Sequence, residues 1–270
     1  MRDIGHTAHT RELPEKPHGY GPQLHLLDDA VAFTLLAKLC EAGTGQPDFN
    51  RLIVRLYERL LDAALVSLAA RAERTVVTRM VSETSRARAR MEVLDPSQRF
   101  VLVDVIRGGI LPGAVCFDRL NDLVDPAGVR QDHLVASRMA APDGSVAGTE
   151  ISGAKIGGDV QDAWVILPDP MAATGATLVS VLDHYKSSVE GTARGFVALH
   201  VIVTPEYVRR MAETHPELQI FALRLDRGLS DPEILDQLPG RSQLEKALTN
   251  HGYIVPGGGG FGELLNNSWV

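Results

Sequence analysis

The sequence predicts an α/β fold built on a mainly parallel sheet that is flanked by helices. Apolar runs rich in Val, Ile and Leu recur along the chain, helical stretches lie between several of them, and 44% of the 270 residues are hydrophobic. Runs that are nearly continuous in apolar residues are typical of strands buried on both faces. The predicted strands are 100–106, 133–136, 163–167, 196–203 and 219–225. The predicted helices between them are 111–123, 176–189 and 206–214.

Composition and charge exclude several classes of function. The formal net charge of -7 argues against a nucleic-acid partner, because a phosphate backbone selects a basic face. No run approaches the roughly 20 apolar residues that cross a bilayer, so no membrane partner is expected. With only two cysteines, the sequence favours a reduced, cytoplasmic protein. We expect residues 1–20 to form a flexible arm and residues 21–270 to form a single domain.

Before the first predicted strand of the sheet, residues 47–71 show the spacing of an amphipathic helix. Its apolar residues recur every three or four positions from Phe49 to Leu68, while Arg51, Arg55 and Asp62 occupy the other face. We expect the long apolar stripe to offer surface for a contact between subunits. Further along, the polar, glycine-rich stretch 137–159 is typical of a projecting hairpin or mobile flap.

The most informative segment is the loop between the strand 163–167 and the following helix. An acid, Asp169, follows the strand, and small residues from Ala172 to Thr177 lead into the helix. Small residues let backbone N–H groups approach an anion, and a helix N-terminus favours negative charge. The pattern indicates a cradle for a sugar phosphate. A plain strand-to-helix turn with a capping threonine is the alternative, and the Gly-Lys-Ser/Thr ending of a Walker loop is missing.

The motif DPMAATGAT at 169–177 resembles the signature that uracil phosphoribosyltransferases use to bind phosphoribosyl pyrophosphate (PRPP). Three other segments resemble that family in the same order: VIRGG at 105–109, HPELQIFALRLDRGLS at 215–230 and NHGYIVPG at 250–257. The resemblance extends from about residue 46 to residue 262. It implies a type I phosphoribosyltransferase fold, with a small hood formed by N- and C-terminal segments. It also implies a magnesium-dependent enzyme that joins uracil, or a closely related pyrimidine-like base, to PRPP as a homo-oligomer.

The resemblance assigns Asp169 and Arg107 to catalysis, with Asp169 on the ribose hydroxyls and Arg107 on the pyrophosphate. Mg²⁺ would be carried mainly by the pyrophosphate, since the ion prefers phosphate oxygens and water to an all-protein cage. No protein residue is assigned as a metal ligand. The residues implied in PRPP binding are Arg107, Arg138, Asp169, Pro170, Met171, Ala172, Ala173, Thr174, Gly175, Ala176 and Thr177.

The base would lie against the late turn HGYIVPGGGGFGE, at Ile254, Gly259, Gly260 and Phe261. Here the sequence departs from the family: Gly260 replaces an aspartate, Phe261 replaces a small alanine, and 231–249 is interpreted as an insertion. We expect the insertion to contain a helix, most clearly at 245–248. The departures leave two alternatives open, a transferase for a different heterocycle and a non-catalytic regulator that binds PRPP or a nucleotide. The turn also matches G-x-G-x-x-G, but a dinucleotide site requires a following helix and an acid about 20 residues later, whereas the sequence ends at Val270.

Overall fold

The computed structural model describes residues 3–7, 9–140 and 146–269. The α-helices of this part of the chain are α1 (Ala30–Cys40), α2 (Asp48–Leu68), α3 (Ile110–Leu123), α4 (Ala176–Ser188), α5 (Pro205–Thr214), α6 (Pro232–Leu235) and α7 (Phe261–Asn266). The strands are β1 (Leu24–Leu26), β2 (Arg71–Val77), β3 (Arg88–Leu94), β4 (Arg99–Ile106), β5 (Val129–Ala140), β6 (Val146–Lys155), β7 (Ala163–Pro168), β8 (Met171–Ala172), β9 (Gly195–Val203) and β10 (Gln219–Leu225).

One sheet organises the molecule, in the strand order β1-β10-β9-β7-β4-β5-β6. All neighbours along this path are parallel except β6, which pairs antiparallel with β5, and the short β8 adds a parallel pair to β9. The predicted α/β class with a mainly parallel sheet is therefore confirmed. Because the strands are parallel, the residues that follow β4, β7 and β9 gather at one edge of the sheet.

Helices cover both faces of the sheet, and neighbouring residues of each strand point into different cores. On β4, Leu102 belongs to the core that includes α1, α2 and α3, whereas Val101 and Val103 belong to the core that includes α4 and α5. The side chains of both cores are buried, at 8% exposure or less. Burial on both faces explains why the strands are apolar at nearly every position rather than alternating.

The predicted amphipathic helix is α2, but its apolar stripe has a different role from the one expected. Phe49, Ile53, Leu56 and Leu60 are all 0% exposed within this single chain. The stripe packs against α1 and the sheet, because an amphipathic helix buries its apolar face in the hydrophobic core. The expectation that this face forms a subunit contact is therefore wrong, and the homo-oligomer itself stays a prediction.

Two hairpins extend from the body of the protein. The predicted flap is the β5–β6 hairpin, whose β5 begins earlier and ends later than the predicted strand 133–136. Its tip, residues 141–145, lies outside the described residues. The second hairpin pairs β2 with β3 and was not predicted. Its strands carry charged residues on both faces, including an ion pair between Arg90 and Glu73, so they lack the apolar pattern of a strand.

The segment 231–249 contains a helix, but not where the sequence predicted it. The helix is α6, which covers only four residues at the start of the segment, and residues 245–248 are irregular. Glu245 is buried at that point, where its carboxylate pairs with Arg227 at 3.0 Å. It also accepts a hydrogen bond from the hydroxyl of Tyr20. The burial of the Glu245 carboxylate, paired with Arg227, therefore prevails over the local helical pattern. The same carboxylate connects Tyr20, near the N-terminus, with the C-terminal part of the chain, as expected for the hood.

Residues before Leu24 make further contacts with the body of the protein. Arg11 donates to the carbonyls of Ser67 and Ala69, and the backbone of Lys16 donates to Leu26. Flexibility of the arm 1–20 stays a prediction. Among the described residues, no helix is both long and apolar enough to span a membrane.

Candidate functional site

The predicted strand–acid–loop–helix order is present at the centre of the sheet. β7 ends at Pro168, Asp169 follows it, and α4 begins at Ala176. Between them Gly175 has a φ of 78°, in the left-handed region that favours glycine. A side chain there would also be crowded, because a β-carbon on Gly175 would lie 2.9 Å from Met211 Cε and 3.0 Å from a ring carbon of Tyr207. Glycine at position 175 therefore lets this turn pack closely against α5.

The loop is anchored to the neighbouring strand through its backbone. Asp169 N–H donates to the carbonyl of Leu199 at 3.1 Å, and the carbonyl of Pro170 accepts from Val201 and Ile202. At the other end of the loop, the Thr204 hydroxyl donates to the carbonyl of Ala173 at 2.6 Å. Contacts of this kind fix the path of the chain while Thr174 remains exposed. A loop held in this way can present its amides and hydroxyls without reorganising.

A buried histidine on β9 connects the loop to α5 through hydrogen bonds. His200 Nδ1 lies 2.5 Å from the carbonyl of Asp169, and Nε2 lies 2.7 Å from the Tyr207 hydroxyl. Burial lowers the pKa of His200 to about 4, so the ring is neutral at physiological pH. A carbonyl can only accept, and hence Nδ1 carries the proton and Nε2 accepts from the tyrosine. His200 is thus a neutral bridge between α5 and the acid of the loop.

The predicted arginine–glycine loop lies beside the predicted acid. A β-carbon on Gly108 would lie 3.4 Å from Asp169 Oδ1, and one on Gly109 would lie 2.7 Å from the backbone nitrogen of Val105. Glycine at both positions lets this loop pack against Asp169 and β4. Arg107 is half-buried, and its Nη1 donates to Ser268 Oγ at 3.0 Å. The structure therefore brings Arg107 and Asp169 to the same edge of the sheet.

The second predicted arginine, Arg138, lies on β5 of the flap, where its backbone pairs in register with Thr149. Its side chain lies outside the described residues. Its assignment to pyrophosphate stays a prediction.

Two residues that sequence reasoning missed hold the late turn in place. Arg224 forms an ion pair with the buried Asp226, with Nε of the arginine 2.6 Å from Oδ1 of the aspartate. Both also bind the same glycine: Arg224 donates to the Gly257 carbonyl, and Asp226 accepts from the Gly257 N–H, each at 2.7 Å. The aspartate hydrogen bonds raise the pKa of Arg224 against the opposing effect of desolvation. The spacing Arg-Leu-Asp at the end of an apolar strand is the signal that could have found them.

The side chain of Phe261, the residue that replaces a small alanine of the family, is buried in the core of the protein. It is 2% exposed and packs edge-on against Phe49, with ring centroids 5.0 Å apart. Its ring also contacts Gly258, which has no side chain to block it. Phe261 is a core residue that anchors α7, because a large aromatic side chain is stabilised most by full burial. Only its backbone remains available to a base.

The carboxylate of Glu263 occupies the space next to Gly260, where a β-carbon would meet its Oε2. Both residues line an open cavity of about 420 Å³, together with Tyr253 and Trp269. The neighbouring residue, Ser268, is the partner of Arg107. Part of the predicted base turn therefore lines the cavity, and another lining residue, Trp269, follows the serine that binds Arg107. Ile254 and Gly259 belong to the same turn, and Ile254 pairs with Leu248 in an isolated bridge.

The mainly parallel sheet and the loop that follows β7 have the arrangement that the resemblance to phosphoribosyltransferases implies. The family model described as uracil phosphoribosyltransferase matches residues 26–240, and the chain belongs to that family. The matched range includes the Asp169–Thr177 loop and Arg107 but ends before the late turn.

Known proteins agree with this membership. The uracil phosphoribosyltransferase of Thermococcus kodakarensis is 27% identical over 236 residues, which cover 87% of this chain and 86% of that protein. That of Thermus thermophilus is 28% identical over 248 residues, covering 90% and 98%. The structure of the AQ2163 protein from Aquifex aeolicus superposes with a TM-score of 0.66 at 20% identity, covering 90% of this chain and 97% of that one. The latter similarity shows the fold.

Proposed function

We propose that this protein transfers the ribose 5-phosphate of PRPP to uracil or a closely related pyrimidine-like base. The products would be the nucleoside 5′-monophosphate and pyrophosphate. The observation that carries the proposal is the loop between β7 and α4, whose acid lies beside the Arg107–Gly109 loop. The family of the chain supports it.

In this proposal the loops that follow β4 and β7 bind different parts of PRPP. Thr174, Gly175, Ala176 and Thr177 hold the 5′-phosphate with amides and hydroxyls at the start of α4, where the helix dipole favours an anion. Asp169 accepts from the ribose hydroxyls. Pro170, Met171, Ala172 and Ala173 complete the loop. Arg107 and Arg138 pair with the pyrophosphate, for which the guanidinium fork is suited.

The donor set near Asp169 fits a magnesium ion that enters with PRPP. No cluster of three or more His, Cys, Asp or Glu side chains suited to a metal occurs among the residues that the structure describes. Asp169 supplies a single carboxylate beside a glycine loop, and the ion would take its remaining ligands from phosphate oxygens and water, which Mg²⁺ prefers. When bound, the ion would neutralise charge on the pyrophosphate.

Catalysis would then consist of positioning and charge stabilisation. As the bond from ribose C1 to pyrophosphate breaks, negative charge develops on the leaving group and positive charge on the sugar. Arg107 stabilises the former charge, and the anchored Asp169 keeps the ribose oriented. The base nitrogen gives its proton to water or to the departing pyrophosphate and forms the new bond to C1. We propose that the β5–β6 flap excludes water during this step.

For the base, we propose contacts from the backbone of Ile254, Gly259, Gly260 and Phe261 along the cavity. A heterocycle other than uracil is the second candidate, and the carboxylate of Glu263 beside Gly260 favours it. A carboxylate only accepts hydrogen bonds, whereas the edge of uracil presents two acceptors around one donor. A ring with additional N–H donors would pair better with Glu263.

The test measures pyrophosphate release and nucleotide formation from PRPP and Mg²⁺ with uracil, cytosine, a purine base and no base. Nucleotide formed with uracil supports the proposal, and faster turnover of an amino-bearing ring supports the second candidate. PRPP binding by calorimetry without turnover of any base would identify a regulator instead. Wild-type protein that does not bind PRPP at all would overturn the whole proposal.

We also propose that the chain forms a homo-oligomer through the β2–β3 hairpin rather than through α2. Val77, Met80 and Val81 of this hairpin are apolar and about half exposed, at 49%, 58% and 47%. Exposed apolar residues that cluster in this way are typical of a contact surface. Light scattering should report at least twice the chain mass of 29.2 kDa, and Met80→Glu should lower it. A monomer in the wild type would contradict this.

A further inference from the structure

The loop proposed to bind the 5′-phosphate carries no cation of its own. Between Asp169 and Thr177 there is no Lys or Arg, and Asp169 adds a negative charge. A phosphate monoester brings about two further negative charges at neutral pH. Amides and hydroxyls alone would have to balance them, and charge-assisted hydrogen bonds are roughly twice as strong as neutral ones. A neighbouring element that supplied a cation would therefore strengthen the site considerably.

Helix α5 places an arginine against this loop. A β-carbon on Gly175 would lie 3.4 Å from Cδ of Arg210, so the stem of the arginine passes over the glycine at the start of α4. Arg210 is exposed. Its guanidinium makes no hydrogen bond or ion pair with any residue in the described parts of the chain, and its carbonyl accepts from Thr214. The preceding Arg209, in contrast, is half-buried and donates to the carbonyl of Glu245.

The helix that carries Arg210 is fixed relative to the loop. The Thr204 hydroxyl caps α5 by accepting from the N–H of Tyr207, and the same hydroxyl donates to the carbonyl of Ala173. Tyr207 in turn is bound to His200 beneath Asp169. Because the stem of Arg210 rests on a fixed surface, its guanidinium loses less conformational freedom when it binds an anion.

We propose that Arg210 is a further substrate-binding residue, which pairs with the 5′-phosphate of a sugar phosphate held at Gly175–Thr177. This inference rests on the proposed function and adds to it a cationic partner from α5. Arg107 and Arg210 would then serve opposite ends of PRPP, the former the pyrophosphate and the latter the 5′-phosphate.

The test compares Arg210→Gln, which keeps most of the stem over Gly175 but removes the charge, with Arg210→Lys, which keeps the charge. Arg55→Gln is the matched control, because Arg55 is an exposed arginine on α2. Calorimetry would measure affinity for PRPP, for ribose 5-phosphate and for inorganic pyrophosphate. We expect Arg210→Gln to weaken PRPP and ribose 5-phosphate by about tenfold, with Arg210→Lys recovering most of the loss. Pyrophosphate affinity and kcat at saturating PRPP should change little.

These readouts separate binding at the 5′-phosphate from a general structural effect. A structural role would also weaken pyrophosphate or lower the unfolding midpoint, and Arg210→Lys would not rescue it. If the wild type binds PRPP and Arg210→Gln binds it equally well, the role of Arg210 is overturned and the proposed function stands. If the wild type binds neither PRPP nor ribose 5-phosphate, both fall.

Discussion

The proposed phosphate half of the site, Asp169–Thr177 with α5, and the proposed base half, Tyr253–Trp269, are held in different ways. The phosphate half is anchored by backbone hydrogen bonds to β9 and by Thr204 and His200. The base half depends on side chains, chiefly the Arg224–Asp226 pair that binds Gly257. The family match includes the first half and stops before the second. The backbone hydrogen bonds of the first half form whichever side chains are present, whereas the turn at Gly257 can diverge when Arg224 or Asp226 changes.

The largest expected effect would test whether the base half is anchored by its aromatic core. Phe261→Ala should lower the free energy of unfolding by about 3 kcal/mol, because truncation of a buried aromatic residue leaves a cavity. Urea denaturation would measure it. Leu244→Ala, at a residue 72% exposed, is the control and should cost little. A loss no larger than that of the control would show that the ring is not part of the core.

The phosphate half should respond in activity rather than in stability. Asp169→Asn should reduce kcat/KM for PRPP by roughly 100-fold, since the neutral amide is a weaker acceptor for the ribose hydroxyls. The urea midpoint should be unchanged. Asp118→Asn, at an exposed position of α3, provides the matched control in steady-state assays. Full activity of Asp169→Asn would remove this residue from the site.

A further prediction concerns the pH dependence of stability and rests on Asp104, a buried carboxyl on β4 three positions before Arg107. Burial raises the pKa of Asp104 to about 6, although Gln131 and His133 contact one oxygen; the other oxygen has no hydrogen-bond partner among the described residues. The folded protein therefore keeps the proton up to about pH 6, while the unfolded chain releases it near the usual 3.8. As pH rises through this range, ionisation of Asp104 opposes folding.

Asp104→Asn should consequently be more stable than the wild type above pH 6, by about 2 kcal/mol, and the difference should vanish below pH 3.8. In both proteins the lowered pKa of His200 makes acid destabilising. In the wild type, protonation of Asp104 below about pH 6 offsets part of this loss, so the variant should lose stability more steeply as pH falls from 6 to 3.8. Urea denaturation across this pH range would measure both effects. A constant difference between the two proteins at all pH values would contradict the assignment.

The smallest expected effect is on PRPP affinity, and it concerns the hydrogen bond between Arg107 and Ser268 of the base half. Ser268→Ala removes the hydroxyl that accepts from Arg107, which leaves the guanidinium available for pyrophosphate. We expect PRPP to bind about twofold more tightly, since one neutral acceptor contributes on the order of 1 kcal/mol or less. Calorimetry with PRPP and with pyrophosphate would show it. Weaker binding would mean that Ser268 orients Arg107 for the substrate.

The two halves also differ in how far the sequence predicts them. The phosphate half is contiguous: the strand, the acid, the small residues and the helix follow one another within one loop, so the pattern alone indicates the cradle. Its link to Arg107 is implied by the family resemblance, and the structure explains it, because β4 and β7 are neighbours and end at the same edge. Arg210 lies outside the loop and has no motif of its own. Only the packing of α5 on Gly175 reveals it.

The base half could not be predicted in the same way, because its contacts join distant parts of the chain. Asp226 meets Gly257, and Phe261 meets Phe49, pairs with no local pattern between them. The helix expected at 245–248 failed for the same reason, since Glu245 is buried against Arg227. Helix α1, in contrast, had a local signal that was missed: Asp29 caps it by accepting from Val31 and Ala32.

The three-residue strand β1 has a consequence for the order in which the chain folds. Its partner is β10, so that Leu24 lies in register with Ile220. During synthesis from the N-terminus, β1 must wait for almost the entire sheet to be translated before it can pair. Closing so long a loop is slow, and it comes late in folding. Until then the outer edge of β10 is open to other strands, so nascent or refolding chains are most exposed to mispairing at this edge.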